Sequence, residues 1–191
     1  MQAVVPEEIP GMADEYFMQE ALSLAEKALA AGEFPVGCVF VSENRVVARG
    51  ARCGSAGTFA NEIDHAEMVA LRHFYDLSPG CDPRKTVAYC TLEPCLMCFG
   101  ALIIAGIGRI VYAYEDVMGG GTGCRIEHLP DLYHRNRPEV VPHILREKSL
   151  TLFQTFFNGT DATYLKNTLL ADYTRRQHLG ISSMSTGQTV E

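Results

Sequence analysis

An α/β fold is predicted by three features of the chain. Short apolar runs alternate with helical periodicity, which implies parallel neighbouring strands covered by helices. No internal repeat is present, and no linker divides the 191 residues, a length suited to one domain with a sizeable core. That domain is expected over residues 1–178, with a helical extension from about 158 and a disordered tail over 179–191.

Residues 14–31 read as a helix, with Asp14 as its cap and Phe17, Ala21, Leu24 and Ala28 on one face. Gly32 stops it and Pro35 prevents its continuation. "VGCVFV" (36–41) and "RVVARG" (45–50) flank "SEN" as a hairpin, and 51–63 is a loop of small and polar residues. A helix begins near His65, with Met68, Val69 and Leu71 as core. "TVAYCT" (86–91) is a strand, 95–106 a helix and "RIVYAY" (109–114) another strand. "GGGTG" (119–123) is a flexible break at the pocket rim, and 147–157 and 161–178 are two further helices.

Composition narrows the function. A formal net charge of −7 counts against an obvious nucleic-acid partner, because phosphate neutralisation dominates non-specific affinity. No apolar run reaches the roughly eighteen residues that span a bilayer, so no membrane partner is expected. Seven cysteines without an export signal are expected as thiols or metal ligands, and the cytoplasm as the compartment. Cys38, Cys53, Cys81, Cys90 and Cys124 are assigned to packing or incidental thiols.

Two stretches carry chemistry. In "TLEPCLMCFGA" (91–101), Cys95 and Cys98 share one face of a first helical turn, where the helix N-terminus favours thiolates. A C-x-x-C alone also suits a redox pair, or a closed structural zinc site with Cys90 and a fourth thiol. In "DHAEMVALR" (64–72), His65 opens the preceding helix. If both helices follow adjacent parallel strands, they start at the same sheet edge and the three side chains converge on one metal. Three protein ligands leave a fourth position for water, the arrangement of a catalytic zinc site. Glu67, on the same turn as His65, is then placed to take a proton from that water and pass it to a leaving amine.

"HAE" (65–67) and "PCLMC" (94–98) match the H-x-E…P-C-x-x-C signature of zinc nucleobase deaminases. With "FPVGCVFV", "RIVYAYEDVMGGGTG" and "HRNRPEVVPHILREKSLTLFQTFF", residues 14–157 resemble the cytidine deaminase-like superfamily, most closely its tRNA adenosine deaminase and guanine deaminase branch. The resemblance implies a three-layer α/β/α sandwich around a five-stranded mixed sheet, one Zn²⁺ per chain on His65, Cys95 and Cys98, and Glu67 as proton shuttle. It also implies that Glu93, through its carbonyl, and amides near Cys95 orient the water and the leaving amine. A homodimer packed partly through the cysteine-bearing helix follows from the same likeness.

Substrate contacts are expected at Phe34, Pro35, Val36 and Asp116, with Phe34, Phe156 and Phe157 weighed both as a base-stacking wall and as core. Three departures bear on the substrate. Arg52 stands where the family carries an asparagine that reads the base, with Asn61 in the longer loop as its replacement. Asp64 precedes His65, where tRNA enzymes more often have a small residue. An acidic and apolar segment replaces their basic C-terminal run, although Arg125, Arg135 and Arg137 lie nearby. The sequence therefore ranks hydrolytic deamination of a free base, nucleoside or related small heterocycle first. Adenosine-to-inosine deamination in tRNA comes second, and a non-enzymatic, zinc-stabilised interaction module third.

Overall fold

The computed structural model describes residues 12–56, 60–159 and 163–178. The expected tail over 179–191 lies outside the described residues. Five strands form one sheet in the order β2-β1-β3-β4-β5: β1 (Gly37–Ser42), β2 (Arg45–Ala51), β3 (Val87–Leu92), β4 (Arg109–Tyr114) and β5 (Glu139–Val141). β1 is antiparallel to β2 and β3, whereas β3, β4 and β5 are parallel, so the sheet is mixed. The hairpin lies where the pattern places it, and its turn puts Glu43 and Asn44 at φ 50° and 56°, the left-handed pair whose twist suits a two-residue hairpin.

Strict alternation gives the sheet two apolar faces. Val39, Val41, Tyr89, Val111 and Ala113 pack beneath α1 (Met12–Ala30) through Phe17, Met18, Ala21 and Leu22. Cys38, Phe40, Ala88, Cys90 and Ile110 pack on the other side, against α2 (Ala66–Leu77) and α3 (Leu96–Ala105). The result is a three-layer α/β/α sandwich. α4 (Asp131–Arg135) is a short turn of helix before β5, and α5 (Arg146–Asn158) contacts both β4 and α1.

Several local expectations are corrected. Asp14 lies inside α1 and does not cap it: its carboxylate takes a two-pronged ion pair from Arg109 at 2.7 and 2.8 Å and a hydrogen bond from the Tyr89 hydroxyl at 2.8 Å. The buried face of α2 is Ala66, Glu67, Ala70 and Phe74, while Met68, Val69 and Leu71 are only half-buried. Small residues face the sheet because the helix lies so close to it. A Cβ on Gly50 of β2 would stand 2.1 Å from the Ala66 carbonyl oxygen. The last helix, α6 (Leu169–Arg176), is shorter than 161–178, because Thr168 accepts a hydrogen bond from the Ala171 amide and caps it late. β5 is three residues long and was foreseen only through the family resemblance.

The Arg109 guanidinium hydrogen-bonded to Asp14 is the main force holding that carboxyl below its ordinary range. A depressed folded-state pKa contributes stability above the unfolded value near 4, and that stability is lost as pH falls through the folded value. Asp14→Asn is therefore expected to cost about 2 kcal/mol at pH 7, as for hydrogen bonds to charged groups. Denaturant melts should show the gap to the parent narrowing below about pH 4.

Candidate metal centre and active site

Two helix starts meet at one edge of the sheet. His65 and Cys95 are the residues immediately before α2 and α3, each in extended conformation with no side-chain capping bond. Their side chains are thus free to turn toward one another. The strands that feed these helices, β2 and β3, are not neighbours, contrary to the sequence-based expectation: β1 lies between them, antiparallel to both. Because β1 reverses direction, β2 and β3 still run the same way and deliver their helices to the same edge.

His65 Nδ1 lies 3.5 Å from both Cys95 Sγ and Cys98 Sγ. Among the described residues these three form the one cluster of His, Cys, Asp or Glu able to share a metal ion, with ligand atoms within 4.8 Å of one another. Cys90 is not part of it; it is buried against Cys38 across the β1–β3 ladder, sulfur to sulfur at 3.7 Å. One imidazole and two sulfurs are a soft donor set suited to zinc, with a position left open. Their electrostatics point the same way. Hydrogen bonding from Cys98 is the largest influence pushing the Cys95 thiol down to about 4, and the same interaction with Cys95 pushes Cys98 up. Two thiolates this close repel each other, and a shared divalent cation would offset that repulsion.

Glu67, on the first turn of α2, is 3% exposed, with its Oε2 3.6 Å from Cys98 Sγ. Burial raises its pKa above the ordinary carboxyl value. The triglycine stretch is packed tightly, not a flexible break. Gly120 bridges to Cys95, and the Gly121 amide donates to the Pro94 carbonyl at 2.8 Å. A Cβ on Gly121 would stand 2.8 Å from the Leu96 backbone. The Glu93 carboxylate fastens this loop from within, accepting from the Asp116 amide at 3.2 Å and the Thr122 hydroxyl at 2.5 Å.

A pocket of about 190 Å³ opens onto His65, Glu67 and Cys95. Of the residues singled out in the sequence, Phe34, Val36, Arg52, Glu93 and Asp116 line it. Pro35, Asn61 and Asp64 lie outside the lining. Pro35 is buried, and the Asn61 amide donates to Asp64 Oδ2 at 2.7 Å while Asp64 pairs with Arg72. Phe34 is both pocket wall and core, its ring 5.3 Å from that of Phe156 and 5.9 Å from that of Phe157, which are buried behind it. Sequence reasoning missed Glu62 and the C-terminal residues Tyr164, Leu165 and Leu170, which also line the pocket. No spacing marks them, since Tyr164 meets Arg52 across 112 positions.

Comparison with known proteins adds three findings. Residues 12–114 match the family model described as the cytidine and deoxycytidylate deaminase zinc-binding region. A tRNA-specific adenosine deaminase of Streptococcus pyogenes serotype M18 (strain MGAS8232) is 34% identical over 142 residues, covering 74% of this chain and 88% of the relative. A solved structure from a study of A-to-I editing by tRNA deaminases at the wobble position superposes with a TM-score of 0.61 at 31% identity, over 72% of this chain and 98% of that one. A diaminohydroxyphosphoribosylaminopyrimidine deaminase/reductase of Thermotoga maritima gives 0.56 at 28% identity, over 74% of this chain and 39% of that one.

Metal content tests the centre directly. The purified protein is expected to hold about one zinc per chain, and Cys98→Ser to lose most of it, as read by elemental analysis.

Proposed function

The chain belongs to the cytidine and deoxycytidylate deaminase zinc-binding family, zinc enzymes that hydrolyse a C–N bond, and we propose that it strips the exocyclic amine from a nucleobase ring, with adenosine carried in tRNA as the substrate its relatives favour. The observation that carries the chemistry is Glu67, a buried carboxyl on the same helical turn as the ligand His65. Family membership sets aside the non-enzymatic module.

His65, Cys95 and Cys98 would hold the metal. Zinc, when bound, supplies a Lewis acid that brings the pKa of a water to about 7. Glu67 is the residue assigned to take a proton from the attacking water and return it to the departing nitrogen. Water adds its oxygen to the ring carbon, the C–N bond breaks, and the amine leaves as ammonia. Burial, the main cause of the raised Glu67 pKa, makes its carboxylate a stronger proton acceptor than an exposed one. The backbone around Glu93 and Cys95 is assigned to orienting the water and the amine, and Phe34, Val36 and Asp116 to holding the ring.

For the substrate, the relatives support the tRNA reading, second in the sequence-based order, better than the small-molecule reading placed first. A homodimer through α3 is supported by Leu96 and Ile104, exposed by 62% and 58% although both are large and apolar. No helix among the described residues is long and apolar enough to cross a membrane.

Glu67→Ala is expected to keep about one zinc per chain while ammonia release falls by roughly 100-fold or more. A variant that stays fully active would remove the proton-shuttle role. The assay panel is adenine, guanine, cytosine, their nucleosides and a tRNA anticodon stem-loop. If tRNA is the substrate, stem-loop binding should weaken steeply with added salt. Ile104→Asp is expected to reduce the mass measured by light scattering from dimer to monomer.

A further inference from the structure

Four acids line the pocket, and three of them already have work to do. Glu67 lies against Cys98, Glu93 fastens the glycine loop, and Asp116 accepts from the amides of Met118 and Gly119 at 3.0 and 2.9 Å. Glu62 is the fourth, and a single oxygen of it, Oε2, meets three partners. It accepts from the Tyr164 hydroxyl at 2.9 Å, lies 3.6 Å from the Arg52 guanidinium and stands 3.8 Å from His65 Nε2. His65 therefore has two sulfurs at Nδ1 and a carboxylate facing Nε2.

That carboxylate is held in place although the Glu62 side chain is 60% exposed. The Arg52 side chain is 2% exposed, so its charge must be met inside the protein. One guanidinium nitrogen donates to the backbone carbonyls of Cys53, Asn61 and Asp64 at 3.1, 2.5 and 3.1 Å, tying down the loop that leads into His65. The other donates to the Tyr164 hydroxyl at 3.3 Å. The Tyr164 ring has that guanidinium 5.5 Å from its centre and the Phe34 ring at 5.4 Å. Arg175 donates to the carbonyls of Phe157 and Lys166 at 3.1 and 3.3 Å, which fastens the segment that carries the tyrosine. Loop and C-terminal segment together aim one negative charge at the imidazole.

We infer that Glu62 is a positioning residue for His65, a carboxylate whose charge sets which ring nitrogen carries the proton and makes Nδ1 the stronger metal donor. The inference rests on the zinc centre of the reading above. A neutral imidazole that gives Nδ1 to a metal carries its proton on Nε2, the atom that Glu62 faces. The 3.8 Å separation is longer than a hydrogen bond, so Glu62 acts through its charge. That charge favours the Nε2–H tautomer and offsets the buried Arg52 cation, which on its own would oppose a second cation nearby. Tyr164 and Arg52 act through Glu62, and Glu62 acts through His65.

Zinc affinity, measured by chelator competition on the full chain, tests the assignment without any substrate. The parent, Glu62→Ala and Glu62→Gln are compared, with denaturant melts of the zinc-free proteins read in parallel. Glu62→Ala should weaken zinc binding by about tenfold or more. Glu62→Gln keeps the shape and an acceptor for Tyr164 but removes the charge, so it should lose about as much. A glutamine variant that binds zinc as tightly as the parent assigns Glu62 to loop packing alone and overturns the inference. An alanine variant with the parent's affinity overturns it as well. Either result leaves the zinc centre standing, because the parent still holds the metal. A parent that takes up no zinc overturns the centre and the inference together.

Discussion

Two sulfurs and an imidazole nitrogen crowded into one small volume at a sheet edge are the constraint on which the rest of the molecule depends. Within the group, hydrogen bonding lowers the Cys95 thiol and raises Cys98, while contact with Cys95 raises His65. A shared cation changes the balance, because it lets both sulfurs ionise together. The fold meets the geometric half of this demand through rigid parts. α2 is pressed onto β2 where Gly50 leaves no room for a side chain, and α3 begins directly after β3 in a turn fastened by Pro94 and Gly121. Neither helix start can shift without moving the packed layer behind it.

Around that centre the protein separates two tasks. Glu67 is buried to 3% exposure, with the pocket opening onto it. Glu62 is 60% exposed on its side chain and touches Arg52, His65 and Tyr164 together. In the proposed reaction the first is the proton carrier, while the second lines the pocket and stays open to solvent.

Much of this was legible in the sequence, for physical reasons that differ by element. The hairpin, β3 and β4 were legible because alternation and apolar runs record burial directly in residue order. The metal cluster was legible because ligand chemistry permits few spacings. The reading failed where the deciding contact is distant. Asp14 resembles a cap, yet Arg109, 95 positions away, claims its carboxylate. Met68 and Val69 have core-like side chains, but the close approach of β2 gives the buried face to alanines. β5 is too short to show periodicity, and Tyr164 reaches the pocket only because the chain folds back past α5. The arrangement of β2, β1 and β3 shows the limit of topological inference: the conclusion about helix starts held although the strands thought adjacent are separated.

The tight seat of the glycine loop has a consequence for how such a protein can change. Gly121 lies against Cys95 and Leu96 so closely that any side chain there would displace the cysteine turn, and one on Gly120 would displace the Glu93 carboxylate or the Asp116 backbone. Substitutions on that flank therefore disturb the turn that carries Cys95. The opposite flank, formed by Tyr164, Leu165 and the exposed Glu62, supplies none of the three ligands, yet Glu62 stands 3.8 Å from His65 Nε2. The glycine flank is thus bound to the cysteine turn through backbone, whereas the Tyr164 flank reaches His65 through the exposed side chain of Glu62.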